Sequence, residues 1–266
     1  MREPYSGIKE HYAESLSYFD SSNIVGCFLQ GSQNYELSTP NSDIDSKLIV
    51  VPTFREIAMN EKPVSTTHVR ENNEHIDFKD IRLYIDTFRK QNLNFLEILF
   101  TKYFVINSKY EEQWNRLVEA REEIARMNPI RCFESMRGVA YTKYKHMLKP
   151  TEGRMEVFEK FGYDPKELHH LMRIEGFMNR FYKDVPYEEC LIPENKDYLI
   201  SIKNGEISAA HATIIADQTL AVIDSHRDRA LVKWEGVKEN PAMVELLKDV
   251  QYEIMKIGIL EELLYD

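Results

Sequence analysis

The chain of 266 residues has little of three features that often define a class of protein: cysteine, long apolar runs and excess positive charge. Its cysteines, Cys27, Cys132 and Cys190, are odd in number and widely spaced. They suit neither a disulfide framework nor a zinc site, and they favour a reducing, cytoplasmic environment. No apolar run approaches the roughly 18–20 residues of a membrane-spanning helix, and residues 1–5 begin no apolar segment typical of a secretion signal. We therefore expect a cytoplasmic protein without a membrane partner.

The deficit of positive charge limits contact with nucleic acid. Lysine and arginine total 34 against 44 aspartates and glutamates, which gives a net charge of −10. Proteins that coat nucleic acid are normally basic, so any such contact here should be local. The hydrophobic fraction of 43%, with 15 tyrosines and 13 phenylalanines, is typical of a packed globular protein. The length allows one large domain or two small ones.

Residues 31–45 carry the most informative pattern. An apolar run, residues 24–29, predicts a buried strand before it. Gly31 then permits a sharp turn, and the hydroxyl and amide of Ser32 suit a phosphate oxygen at the start of a short helix. Asp43 and Asp45 stand two residues apart at the start of the next apolar run, so on a strand they point to the same side.

Two carboxylates on the same side of a strand repel each other and are most easily tolerated around a divalent cation. Mg²⁺ prefers oxygen ligands, commonly carboxylates together with substrate phosphates and water. A phosphate-binding turn beside such a pair predicts a nucleoside triphosphate (NTP) site with Mg²⁺ or Mn²⁺. Either element alone would favour an ordinary polar turn or two solvent-facing aspartates. The two together, each beside an apolar strand, favour the nucleotide site.

The same residues resemble a known superfamily. Gly-Ser, a spacer of about ten residues and Asp-x-Asp are similar to the signature of the polymerase-β-like nucleotidyltransferases. The fuller string from Gly31 to Asp45 resembles the branch of nucleotidyltransferases associated with RNA repair, which often occur beside RNA ligases in bacteria and phages. Glu36 departs from the usual glycine of that branch, and Lys47 departs from its common arginine. These two departures leave the metal-binding pattern intact, although Glu36 leaves the turn geometry open and neither residue has an assigned role.

A third carboxylate is expected on a later strand, where it would act as a general base and a further metal ligand. The alternation at residues 75–79 places Asp77 opposite the apolar side chains, although spacing alone fits an exposed aspartate equally well. The resemblance, which continues through residues 80–99, favours Asp77. Asp80 is the alternative, but its position suits a helix cap better. Glu97 is as consistent with a structural role as with a functional one.

From about residue 106 the pattern changes to helices, with a break and a new helix start predicted at Asn128-Pro129. One stretch there is locally basic. It interleaves cations and tyrosines as follows: Arg131, Arg137, Tyr141, Lys143, Tyr144, Lys145, Lys149 and Arg154. Basic side chains with aromatics can bind single-stranded nucleic acid. An ordinary solvated helix face is the alternative, and the residues alone favour it.

A later helix is predicted to begin with Asp164 as its N-cap and Pro165 in its first turn. Lys166, His170 and Arg173 then share one face, as three potential cations suited to phosphate oxygens. The alternative is a solvated basic face. A Lys-x-x-x-His-x-x-Arg string at this place also recurs in the resembling branch, which implies a nucleotide-binding role for the three residues.

These observations predict an α+β protein. A small mixed sheet with flanking helices, residues 1–105, would hold catalytic and metal-binding Asp43, Asp45 and Asp77. A helical domain, residues 106–266, would close the nucleotide cleft. The resemblance implies transfer of a nucleoside monophosphate from an NTP to a hydroxyl, with an RNA end as acceptor and pyrophosphate as leaving group. A protein or small-molecule acceptor, or a non-catalytic nucleotide-binding partner protein, remains the alternative, and the NTP and oligomeric state stay undetermined.

Overall fold

The computed structural model describes residues 3–40, 42–149 and 152–265. The first two residues, which entered the argument against a secretion signal, lie outside these ranges. The strands are β1 Ile24–Gln30, β2 Asp45–Val50, β3 Ser65–Val69, β4 His75–Asp80 and β5 Phe104–Ile106. The helices are α1 Pro4–Ser15, α2 Phe54–Ala58, α3 Ile81–Arg89, α4 Leu93–Leu96, α5 Glu111–Glu119, α6 Arg121–Ala125, α7 Pro129–Leu148, α8 Met155–Phe161, α9 Pro165–Tyr182, α10 Tyr187–Leu191, α11 Lys196–Lys203, α12 Ala209–Lys233 and α13 Pro241–Tyr265.

The five strands form one mixed sheet in the order β3-β4-β2-β1-β5. β2 and β4 run parallel, and the other neighbouring pairs are antiparallel. Helices flank this sheet, and residues 128–238 contain helices without a strand among those described. The predicted α+β class, with a small mixed sheet followed by helices, is confirmed. Within the described ranges, no helix is both long enough and apolar enough to cross a membrane.

One face of the sheet forms an apolar core beneath α1. Alternate side chains of a strand point to the same face. The cluster accordingly contains Ile24, Cys27 and Leu29 of β1, Leu48 and Val50 of β2, Ile76 and Phe78 of β4, and Ile8 of α1 with Ile44. The opposite face carries Phe28, Lys47 and Asp77, and this second face holds the polar groups considered below. Because one face of the sheet is buried in the core, the intervening side chains of β2 and β4 must point to the opposite face.

The chain divides into two compact units at residues different from the predicted boundary at 105/106. The first unit is discontinuous: it consists of the residues up to Met127 and those from Glu239 onward. The second unit is Asn128–Lys238. The rings of Trp114 on α5 and Phe28 on β1 lie 4.4 Å apart, which ties α5 to the sheet. Arg116 of α5 in turn pairs with Glu253 of α13 at 2.6 Å. The first unit therefore includes helices from both ends of the predicted helical half.

The second unit begins where the sequence predicts a helix break. The side chain of Asn128 accepts a hydrogen bond from the amide of Arg131, and Pro129 opens α7. α9 begins in the same way, with Asp164 as its N-cap and Pro165 at its first position. α9 packs against α7, α11 and α12. Its buried side chains include Leu168, Leu171, Ile174, Phe177, Met178 and Phe181.

Candidate nucleotide and metal site

The turn after β1 has the geometry that its sequence predicts. Gly31 adopts φ 98° and ψ −152°, a backbone conformation that favours glycine, and a 3₁₀ turn, Ser32–Tyr35, follows directly. A Cβ at Gly31 would meet no atom within 4 Å. Glycine is therefore favoured at this position by the backbone angle and not by crowding. The space beside the turn is open.

The amide of Gly31 already binds a buried carboxyl group. It donates to Oε1 of Glu97 over 3.3 Å, and Glu97 is buried at the end of α4. The turn therefore directs a backbone amide at an oxygen acceptor. Glu97 thus contacts the turn although it lies 66 residues later in the chain. The spacing of residues did not predict this role. Ser32, which is half-buried, supplies the neighbouring hydroxyl.

Strand register brings Asp43 and Asp45 beside this turn. Gln30, the last residue of β1, lies opposite Asp45 in the antiparallel β1–β2 pair. The side-chain amide of Gln33 donates to the backbone carbonyl of Asp43 over 2.7 Å. The two halves of the motif, separated by about ten residues in sequence, are therefore held together by both backbone pairing and a side-chain bond.

The oxygens of Asp43 and Asp45 remain largely available. Asp43 is exposed, and its carboxylate bonds no other residue that the structure describes. Oδ1 of Asp45 accepts the His75 amide at 2.9 Å and lies 3.3 Å from Nδ1 of the same residue. Among the described residues, no group bonds Oδ2 of Asp45. This donor set, two carboxylates near a turn open to solvent, fits Mg²⁺ when substrate oxygens supply the other ligands.

Asp77, by contrast, is bound by protein donors. Its Oδ2 lies 3.0 Å from Nζ of Lys47, and its Oδ1 accepts from the hydroxyl of Thr67 over 3.2 Å. Burial lowers the pKa of Lys47, and the nearby Asp77 opposes this shift. No group of three or more His, Cys, Asp or Glu residues in the described ranges is placed to hold a metal ion. The structure thus places the backbone of Asp43 and Asp45 beside the turn, whereas the carboxylate of Asp77 is engaged by Lys47 and Thr67.

The structure explains the local roles of Asp80, the alternative third carboxylate, and of Glu36, which departs from the motif. Asp80 caps α3 by accepting from the Arg82 amide at 2.8 Å, and its Oδ2 pairs with the Arg82 guanidinium at 2.6 Å. This buried aspartate has the N-cap role that its position predicts. Glu36 ends the 3₁₀ turn in the left-handed region, with φ 57°. A glycine would adopt that conformation with less strain than Glu36 does.

The three residues predicted on α9 differ in environment. Lys166 is exposed, His170 is half-buried, and Arg173 is 5% exposed. Burial lowers the pKa of His170 well below its usual value, and the charge of Arg173 adds to this effect. The imidazole of His170 is therefore neutral near pH 7. The expectation of three cations along this face reduces to two cations separated by a neutral hydrogen-bonding ring.

His169, the neighbouring residue, gives the helical unit a predicted dependence on acid. Its Nδ1–H donates to the Leu199 carbonyl over 2.8 Å, and burial lowers its pKa from 6.5 to about 4. The folded chain therefore binds this proton more weakly than the unfolded chain, so stability is complete above about pH 6.5 and falls as the pH drops towards 4. We expect a loss on the order of 3 kcal/mol at 1.36 kcal/mol per pKa unit. Denaturant unfolding from pH 7 to 4 checks this.

The matched control is His169→Gln, whose amide can still donate to the carbonyl but cannot titrate. The difference in unfolding free energy between the two proteins should change with pH by the amount above. A difference that stays constant from pH 7 to 4 would contradict the assignment.

Three of the six cations in the basic stretch of the helical unit pair with carboxylates of the same unit. Asp224 of α12 accepts from both Arg137 at 2.6 Å and Tyr141 at 2.7 Å. The remaining pairs are Tyr144 with Asp217, Lys143 with Glu167, and Arg154 with Asp164. Lys145 and Lys149 are exposed. The sequence pattern therefore overstates the positive charge that this stretch presents to a polyanion.

Comparisons with known proteins identify no family for this chain. No family model matches it, and no curated protein gives a significant match. A solved structure described as a nucleotidyltransferase-like protein, from Exiguobacterium sibiricum, aligns with 95% of this chain and 89% of its own at 10% identity, with a TM-score of 0.32. A score this low does not establish a common fold. The chain's own residues therefore carry the functional conclusion.

Proposed function

We propose that this protein is a metal-dependent nucleotidyltransferase. The hydroxyl oxygen of an acceptor would form a bond to the α-phosphorus of an NTP, the bond between the α-phosphorus and the bridging oxygen would break, and pyrophosphate would leave. The acceptor hydroxyl would lose its proton to Asp77, the carboxylate on β4. Positioning and charge neutralisation would provide most of the rate, as is general for transfers at phosphorus.

The observation that carries this proposal is the register of β1 and β2. It sets the turn at Gly31 and Ser32 directly beside Asp45, while Gln33 holds Asp43 at the same place. A glycine turn that offers amides and a hydroxyl to phosphate, beside two available carboxylates, would supply the two halves of a site for a metal-bound triphosphate. An exposed polar turn would need neither the glycine conformation nor the side-chain bond across the motif.

Asp43 and Asp45 are the proposed ligands of Mg²⁺ or Mn²⁺. When bound, the cation would neutralise charge on the triphosphate and on the leaving pyrophosphate. Gly31 and Ser32 are assigned to the phosphates. From the resemblance, Lys166, His170 and Arg173 remain candidates for nucleotide binding, with His170 contributing a neutral ring. The presence of both aspartates favours turnover over a purely nucleotide-binding partner protein.

An RNA end is the proposed acceptor, on the basis of the motif between Gly31 and Asp45. The net charge of −10 and the ion pairs of the basic stretch restrict contact to a few phosphates. Binding of short RNA should accordingly weaken only slightly with salt, by the release of two or three counterions. The same ion pairs favour the second candidate, a hydroxyl on a protein, over a long nucleic acid.

The test offers each α-labelled NTP with Mg²⁺ to the protein alone, with short RNA and with a cell lysate. Label on RNA supports the proposal when it disappears with Asp43→Asn. Label confined to a protein band replaces the RNA end by the protein acceptor. Absence of label and of pyrophosphate in every mixture, from protein that is folded, contradicts nucleotidyl transfer.

A further inference from the structure

Lys47 is a deeply buried lysine near the proposed site. It follows Asp45 by two residues on β2, so the two side chains share a face of the strand. Its side chain is 5% exposed, although the strand lies next to a solvent-open turn. The parallel β2–β4 register places Lys47 directly beside Asp77, which the ammonium contacts at 3.0 Å.

The surroundings hold this ion pair from several sides. Nζ of Lys47 lies 4.1 Å from the centre of the Phe95 ring, within the range of a cation–π contact. The hydroxyl of Thr67 occupies the other oxygen of Asp77. Both carboxylate oxygens of Asp77 are thus engaged by protein donors, and a metal ion bound there would have to share an oxygen with one of them. Burying a charge is costly unless the charge is paired and hydrogen-bonded, and both conditions are met here.

The charges of the three aspartates also fit a single divalent cation. Asp43, Asp45 and Asp77 together carry three negative charges when ionised. One divalent cation at the first two and the ammonium at the third would balance them. A second divalent cation beside Asp77 would have to lie close to the Lys47 ammonium, where like charges in a poorly solvated position repel strongly.

We infer that Lys47 takes the place of a second metal ion at Asp77, so that the chain binds one divalent cation per nucleotide, held by Asp43 and Asp45. This inference deepens the proposed function and depends on it. Lys47 acts through Asp77 as a positioning residue: it fixes the carboxylate on β4 and excludes it from the metal. The sequence could not show this, because the contact depends on strand register.

The test counts Mn²⁺ ions bound to the intact chain by electron paramagnetic resonance, with a non-hydrolysable α,β-methylene analogue of each NTP and the protein in excess over nucleotide. We expect one Mn²⁺ per bound nucleotide for the wild type. Asp45→Asn should weaken that binding more than tenfold. Lys47→Arg, which keeps the positive charge, should still bind one ion.

Lys47→Met removes the charge and should admit a second Mn²⁺, with circular dichroism confirming that the variant is folded. If it does not fold, the wild type and Lys47→Arg still decide the question. Two Mn²⁺ ions in the wild type, falling to one in Asp77→Asn, would overturn the inference while leaving nucleotidyl transfer intact. Absence of any nucleotide-dependent Mn²⁺ binding would instead contradict the proposed function itself.

Discussion

Asp43→Asn combined with Asp45→Asn is expected to lower Mg²⁺-dependent NTP consumption more than about a hundredfold. Outer-shell partners of a metal already cost about 10–100-fold when they are removed, and these two carboxylates are the proposed direct ligands. Asparagine keeps the size and one oxygen of each side chain but removes both negative charges. Pyrophosphate release measured at saturating Mg²⁺ gives the effect on turnover.

Fold should survive this change, because Asp43 is exposed and Asp45 is only half-buried. An asparagine oxygen at position 45 can still accept the His75 amide. The melting temperature should therefore stay close to that of the wild type. Asp20→Asn is the matched control, since Asp20 lies in the same unit, is exposed and caps its 3₁₀ turn without a side-chain bond. A folded double variant with wild-type turnover would show that the aspartates hold no catalytic metal.

Local sequence signals predicted the elements that position the site. The apolar run before Gly31 and the one after Asp43 became β1 and β2, and the glycine turn lies between them. Asn128 with Pro129, and Asp164 with Pro165, marked helix starts that the structure confirms. These signals act within a few residues, through backbone angles and capping bonds, so a single sequence contains them in full.

Contacts between distant residues could not be predicted in the same way. The C-terminal helix α13 joins the first unit through partners such as Arg116, more than 130 positions earlier, and its acidic sequence carries no sign of that partner. The Gly31–Glu97 bond and the pairing of Lys47 with Asp77 likewise depend on tertiary placement. The neutral state of His170 depends on burial, which the helical spacing did not reveal.

The same distinction applies to charge. The count of side chains predicted a basic stretch between Arg131 and Arg154. Asp224 on α12 and Asp164 at the start of α9 form ion pairs with two of its arginines. A cation paired within its own unit contributes little to the field that a polyanion meets. The local charge of a helix face is therefore set in part by the helices packed on it.

Separating the partners of the Lys47–Asp77 pair is expected to destabilise the fold strongly. Removing one member of a buried ion pair generally costs about 3–5 kcal/mol, because the other charge is left without compensation. Asp77→Asn should have the larger effect, since it leaves the ammonium of a 5% exposed side chain. Lys47→Met leaves Asp77, which at 22% exposure can gain some solvation from water, so its loss should be smaller. Urea unfolding without metal or nucleotide measures both.

The double variant, Lys47→Met with Asp77→Asn, should be more stable than either single variant, because no uncompensated buried charge remains. Replacing both members of such a pair by uncharged groups of similar size is often close to neutral for stability. The coupling energy from this cycle should therefore exceed about 2 kcal/mol. Lys90 and Asp86 on α3 provide the control, as an exposed pair in the same unit whose cycle should give at most about 1 kcal/mol. A coupling energy no larger than that of the exposed pair would mean that Lys47 and Asp77 interact too weakly for the ammonium to fix Asp77 in place.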